Sequence, residues 1–255
     1  MNATELARER TAELAASFGL LTRVPVNYLN LPDVHTADAV WAFPLAGAAV
    51  GALGGAVYWL TYAVGCPPAL GAICALAAMV TITGALHEDG LADFADGLAG
   101  DTKERSLSIM RDHHIGTYGV IALVLALAVR ATAVALLADP VSVVTALIAV
   151  EAVSRLSAVF VMAALPPARK DGLSAASGRP HASLAFAAFI LAFVIALLLL
   201  PVGAAMLIVI AAVASAAAIG AIALKRLGGQ TGDVLGAASQ LCVCLALIGL
   251  VSAAS

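Results

Sequence analysis

The sequence predicts an all-α fold: a polytopic integral membrane helical bundle of about seven transmembrane helices, one domain over 1–255, with its N-terminus cytoplasmic. Three observations predict it. The chain is 62% hydrophobic and only 11% charged, with a mean hydropathy of +1.03. Apolar runs of about 20 residues recur along it, long enough at about 1.5 Å per helical residue to cross about 30 Å of hydrocarbon. Its basic residues fall in alternate connections between those runs.

Residues 1–39 and 88–115 are the longest weakly apolar stretches. Residues 1–39 carry acidic residues and no early apolar run followed by a small-residue cleavage site, so they read as a cytoplasmic amphipathic segment on the membrane surface rather than a signal peptide. Apolar spans follow near 40–63, 68–87, 116–137, 141–165, 182–200, 202–224 and 233–252. The break at Pro201 separates two spans because 182–224 holds no charged residue, and Pro201 followed by Gly203 makes a tight hairpin. Neither 1–39 nor 88–115 is long enough for a soluble core of its own. Cys66, Cys74, Cys242 and Cys244 lack paired metal-ligand spacing and read as small core residues.

The basic residues test this layout. Arg8, Arg10 and Arg23 precede the first span, Lys103, Arg105 and Arg111 follow the second, Arg169, Lys170 and Arg179 follow the fourth, and Lys225 and Arg226 follow the sixth. The opposite connections have none, and only Arg130 and Arg155 lie within spans. By the positive-inside rule the polar loops face the cytoplasm. A net charge of −3 gives no basic field for nucleic acid, so no nucleic-acid partner is expected.

The stretch "TGALHEDGLADFADGL", 83–98, gathers Glu88, Asp89, Asp93 and Asp96 beside His87 at the end of an apolar span. On a helix, Asp89, Asp93 and Asp96 are spaced i, i+4, i+7 and project within about 60° of one another, with Glu88 about 100° round. Like charges so placed repel unless a cation holds them. Oxygen donors without cysteine or paired histidine suit a hard ion, Mg²⁺ above all, completed by water and substrate phosphates. The metal ligands expected are therefore Glu88, Asp89, Asp93 and Asp96, within a cytoplasmic acidic segment, 88–115. A solvated acidic face is the plainer alternative, but carboxylates interleaved with Gly, Ala and Leu against a membrane helix are not an ordinary loop.

Two further patches suit a phosphate ester. "IMRDHHIGTYG", 109–119, supplies Arg111, His113, His114 and the hydroxyls of Thr117 and Tyr118 at the start of a helix. "KRLGGQTGDVLGAASQ", 225–240, is a Gly-rich basic turn with Arg226, Thr231 and Asp233, without the spacing of a P-loop. Glu151 and Arg155 are spaced i, i+4 within a span, and Arg130 lies in another. Such charges face the bundle interior and pair, or touch substrate; both readings stand.

These pieces together resemble the cobalamin synthase family, the adenosylcobinamide-GDP ribazoletransferases. The resemblance runs through "LTRVPV", "FPLAGAAVGAL", "HEDGLADFADGL", "IMRDHHIGTYG", the "SR" at 154–155, "PPARKDGL" and "LGGQTGDVLGAASQ". It implies attack of α-ribazole or its 5′-phosphate on adenosylcobinamide-GDP with Mg²⁺, giving adenosylcobalamin or its phosphate and releasing GMP. It implies a multi-pass protein of the bacterial cytoplasmic (inner) membrane in contact with membrane lipid, its active site facing the cytoplasm. In that chemistry Asp96 or His87 would act as base, and Arg111, His114, Thr117, Arg226, Thr231 and Asp233 would hold substrate. Small-residue stretches such as "GALGGA" allow close packing within the subunit or in a homo-oligomer such as a dimer. Two rivals remain: a CDP-alcohol-type phosphotransferase that would release CMP, and a divalent-cation transporter. Transport calls for ion-binding carboxylates near mid-membrane and an internal repeat, whereas the acidic cluster sits at a cytoplasmic helix end and no convincing repeat is found.

Overall fold

The computed structural model describes residues 3–29, 31–172 and 177–254. Its elements are helices: α1 Ala3–Leu21, α2 Thr36–Ala39, α3 Phe43–Ala63, α4 Pro68–Thr83, α5 Leu86–Gly97, α6 Lys103–Ile109, α7 Thr117–Leu137, α8 Pro140–Ala164, α9 Ala182–Leu199, α10 Val202–Leu227 and α11 Gly232–Ala254. There is no strand among the described residues, and a single bridge pairs Pro167 with Gln230. Six helical segments are long and apolar enough to cross a membrane: Thr36–Ala63, α7, α8, α9, α10 and α11. The bundle of seven expected from the sequence is reached if α4 and α5 together form one further span, bent by 87°.

Helix ends follow local chemistry. Asp139 caps α8, accepting from the Ser142 N–H at 2.8 Å, and Pro140 takes the first position where a missing N–H costs nothing. Pro201 precedes α10, so the hairpin between α9 and α10 lies where the proline placed it. The break between α4 and α5 was not anticipated within the 68–87 run. Gly84, at φ 63°, ends α4 in the left-handed conformation that glycine adopts without a Cβ clash, and Ala85 follows at φ 59°.

α8 is the axis of the bundle, packed against α3, α9, α10 and α11 and buried along most of its length. The "GALGGA" stretch of α3 faces it: a Cβ on Gly55 would lie 3.0 Å from the Cα of Val144. That small-residue surface is used within the subunit. α1 joins the bundle edge through Ser17, whose hydroxyl donates to Ala39 O at 2.7 Å, and through Glu13, which accepts from the Trp41 indole at 2.5 Å. Of the four cysteines only Cys242 is fully buried, while Cys74 is exposed on α4. The core reading therefore holds for Cys242 and fails for Cys74, which lies on the outer face of an apolar helix.

Candidate active site

α5 is a short helix of 12 residues, outside the six spans and held between α7 and α11. Close approach to α11 depends on Gly90: a Cβ there would sit 3.0 Å from the Cα of Asp233 and 3.3 Å from that of Gly236. The crossing brings Asp233, from the first turn of α11, up to the α5 face that carries Asp89 and Asp93. Burial first, then the like charges of Asp89, Asp233 and Asp96, push the Asp93 carboxyl up to about 7, with the Arg169 guanidinium opposing them. Arg169 reaches the cluster because its loop is pinned to the turn before α11. Ala168 N donates to Gln230 O and Gln230 N to Pro166 O, each at 2.8 Å. This leaves Arg169 Nη2 3.6 Å from Asp233 Oδ2.

The other two expected ligands have different partners. Glu88 is buried, and its Oε1 accepts from Arg130 Nη1 at 2.7 Å and Gln240 Nε2 at 2.9 Å. Both oxygens of Asp96 accept backbone N–H bonds at the start of α7, from Gly116 at 2.7 Å and Gly119 at 2.8 Å. The expected quartet therefore divides: Asp89 and Asp93 face Asp233, while Glu88 and Asp96 fasten α5 to its neighbours. About 100° of helical rotation separates Glu88 from Asp89, enough to give adjacent carboxylates different partners, although both border one cleft.

His87 is buried and held well below its usual pKa, chiefly by burial and then by Arg155 and Arg130, so its imidazole is neutral. It shares a cleft of ≈ 240 Å³ with Asp89, Asp233, Arg155 and Arg169, walled by Phe43 and Met162. A second cleft, of ≈ 460 Å³, lies against Asp93, Arg111, Asp112 and His113. Asp89 lines both.

The expected substrate-binding residues scatter. Arg111 borders the second cleft, its Nη2 2.6 Å from both oxygens of Asp171. His114 is exposed, its Nδ1 2.7 Å from Asp112. Thr117 opens α7 next to Gly116. Arg226 lines neither cleft and donates to the carbonyls of Leu98 and Gly100 at 2.8 and 2.6 Å, tying α10 to the end of α5. Thr231 caps α11 through Val234 N at 3.3 Å and donates to Asp233 at 3.1 Å. Arg130, Glu151 and Arg155 form a buried ion network, Arg130 Nη2 3.5 Å and Arg155 Nη2 3.0 Å from Glu151, and Arg155 also lines the first cleft. Arg169 and Gln240 had drawn no assignment of their own. The i, i+4 spacing announced the Glu151–Arg155 pair, but no spacing rule links 88 to 130 and 240.

Comparison with known proteins assigns the chain. The family described as cobalamin-5-phosphate synthase matches residues 13–251. The chain belongs to that family. It is 43% identical over 239 residues to the adenosylcobinamide-GDP ribazoletransferase of Bradyrhizobium diazoefficiens, covering 93% of this chain and 92% of that one. The protein of the same name from Allorhizobium ampelinum is 39% identical over 250 residues, covering 94% and 96%. That from Mesorhizobium japonicum is 41% identical over 241 residues, covering 94% and 93%. No solved structure matches. Family membership gives the acidic helix a chemical context, and the fit of a cation to it is decided by its own residues. Among the described residues no three His, Cys, Asp or Glu side chains converge as a formed metal site. The donor set nonetheless suits a hard divalent ion: Asp89 and Asp233 lie close enough to push the Asp93 carboxyl up, with Arg169 the cation that opposes them.

Proposed function

We propose that the chain transfers adenosylcobinamide phosphate from adenosylcobinamide-GDP to α-ribazole or its 5′-phosphate, releasing GMP and forming adenosylcobalamin or its phosphate. The observation that carries this reading is Asp89, which fronts two clefts at once in a chain of this family. Displacement at phosphorus runs with the attacking and leaving oxygens roughly in line, on opposite sides of the reacting atom. Two clefts meeting at one carboxylate let the acceptor and the departing nucleotide approach from separate sides.

Asp89, Asp93 and Asp233 would hold Mg²⁺, which when bound supplies positive charge beside the diphosphate oxygens. Asp96 is left out of this set because both its oxygens accept amides of α7, and Glu88 because its Oε1 is held by Arg130 and Gln240. Arg169, beside Asp233 at the cleft wall, donates to phosphate oxygens as negative charge builds on them. His87 is neutral and lines the same cleft as Asp89, so its free ring nitrogen accepts the proton of the attacking hydroxyl. It takes the role of base ahead of Asp96. The apolar wall of Phe43 and Met162 keeps bulk water from competing with the acceptor. Concentration of eleven of the thirteen basic residues in alternate connections supports a cytoplasmic active site in the bacterial inner membrane.

The test is nucleotide release by the purified protein in liposomes, given adenosylcobinamide-GDP and α-ribazole 5′-phosphate with and without Mg²⁺. GMP formed with a matching corrinoid product, dependent on Mg²⁺ and lost in Asp89→Asn, bears the reading out. CMP released from a CDP-alcohol, with no GMP from the corrinoid, overturns it.

A further inference from the structure

We infer that Glu88 is a positioning residue: with Arg130, Glu151, Arg155 and Gln240 it forms a buried network that sets the rotation of α5 and so presents Asp89 and Asp93 to Asp233. Its five side chains come from four helices, α5, α7, α8 and α11, and all are buried. Their formal charges balance, two glutamates against two arginines. Arg130 lies at the centre, 2.7 Å from Glu88, 3.0 Å from the Gln240 side-chain oxygen and 3.5 Å from Glu151. The gap between them is ≈ 10 Å³, room for about one water and for no substrate group. The network is therefore a fastening.

Its place explains its use. Glu88 adjoins Asp89, so any rotation of α5 that carried Asp89 off the α11 face would pull the buried Glu88 carboxylate from Arg130 and cost Arg130 its closest carboxylate partner. At its far end the same helix is fixed by Asp96 on the Gly116 and Gly119 amides and by Arg226 on the Leu98 and Gly100 carbonyls. Fixed at both ends, a helix preceded by the Gly84–Ala85 corner has one angular setting. Residues that orient metal-binding side chains without touching the ion affect affinity by about 10–100-fold.

The inference rests on the proposed function only in taking Asp89 and Asp93 as the working face. It is tested by melting temperature and by Mn²⁺ affinity, the latter read from the free-ion electron paramagnetic resonance signal of the protein in detergent. Glu88→Gln is expected to lower the melting temperature by about 6–20 °C and to weaken Mn²⁺ binding about tenfold. Adding Arg130→Met removes the stranded guanidinium and leaves Glu151 paired with Arg155. The double variant should regain much of the lost stability and bind Mn²⁺ within about threefold of the native chain. Asp89→Asn should melt as the native protein does while losing Mn²⁺ binding.

A metal-ligand role for Glu88 gives the opposite result: Glu88→Gln melts normally, loses Mn²⁺ as Asp89→Asn does, and is not rescued by Arg130→Met. That result, or losses that simply add in the double variant, overturns the inference. If Glu88→Gln alone gives no folded protein, the double variant decides: recovery of folded protein supports the network and continued failure refutes it. If the native chain itself binds no Mn²⁺, the cation reading falls, and the stability coupling of Glu88 to Arg130 still decides the network.

Discussion

Asp96→Asn separates holding a helix from acting on a substrate. The carboxylate accepts the Gly116 N–H on one oxygen and the Gly119 N–H on the other, at 2.7 and 2.8 Å, and is buried. Asparagine keeps one acceptor and turns an amide NH₂ toward the second donor, so one charge-assisted bond is lost, about 1.5–3 kcal/mol. The start of α7 also loses an anion beside its dipole, about 0.3–1 kcal/mol. The sum, about 2–4 kcal/mol, corresponds to a fall in melting temperature of about 5–15 °C in a chain of this size. Intrinsic fluorescence melts of the detergent-solubilised variant and native protein at one pH measure it, with turnover recorded below the transition. Part of the activity should survive there, because α7 still closes on α5 through its remaining contacts. A variant that melts at the native temperature but has no turnover would refute the reasoning and return Asp96 to the role of base or ligand.

Three further outcomes follow from the same geometry. Asp93 holds its proton up to about 7, against 3.8 for an ordinary carboxyl; between about pH 4 and 7 the cation-free folded chain thus binds a proton that the unfolded chain lacks. Stability of the cation-free protein should fall as pH rises through that window and level off above it, and calorimetric Mg²⁺ binding should strengthen as pH rises toward 7, with proton uptake by the buffer. Gly90→Ala places a methyl 3.0 Å from the Asp233 Cα and should lower stability by about 1–3 kcal/mol and turnover with it, as α5 is forced off α11; chemical denaturation beside a GMP-release assay checks both. Arg226→Gln removes donors to Leu98 and Gly100, so it should lower the melting temperature while leaving KM for both substrates unchanged, contrary to the substrate contact expected from the sequence.

Much of the architecture was legible because it depends on properties carried by a contiguous segment. Apolar length announces a span, and Pro201 announces a hairpin. The Gly84 corner was not legible, since a lone glycine in an apolar run reads as a small packing residue until φ is known. The acidic helix was legible as a cluster, but its division was not. Glu88 and Asp89 are neighbours in sequence with different partners, and those of Glu88, Arg130 and Gln240, lie 42 and 152 residues away. Asp96 is satisfied by main-chain amides, which leave no mark on sequence beyond the absent side chains of Gly116 and Gly119. Arg169 read as a membrane-anchoring charge because only the Pro167–Gln230 bridge reveals its neighbour.

That division has a consequence for how the protein is made. Asp233 and Gln240 both belong to α11, the last helix in chain order. As the chain emerges from the ribosome, α5 enters the membrane region with Asp89 and Asp93 lacking their third carboxylate and with Glu88 lacking one of its two hydrogen-bond donors. Until α11 inserts, the acidic helix has α7 on one side and no partner for the face that carries Asp89 and Asp93. Assembly of the reactive centre and completion of the bundle are then a single event, and a nascent chain arrested before residue 232 should have the apolar spans without the ordered acidic face.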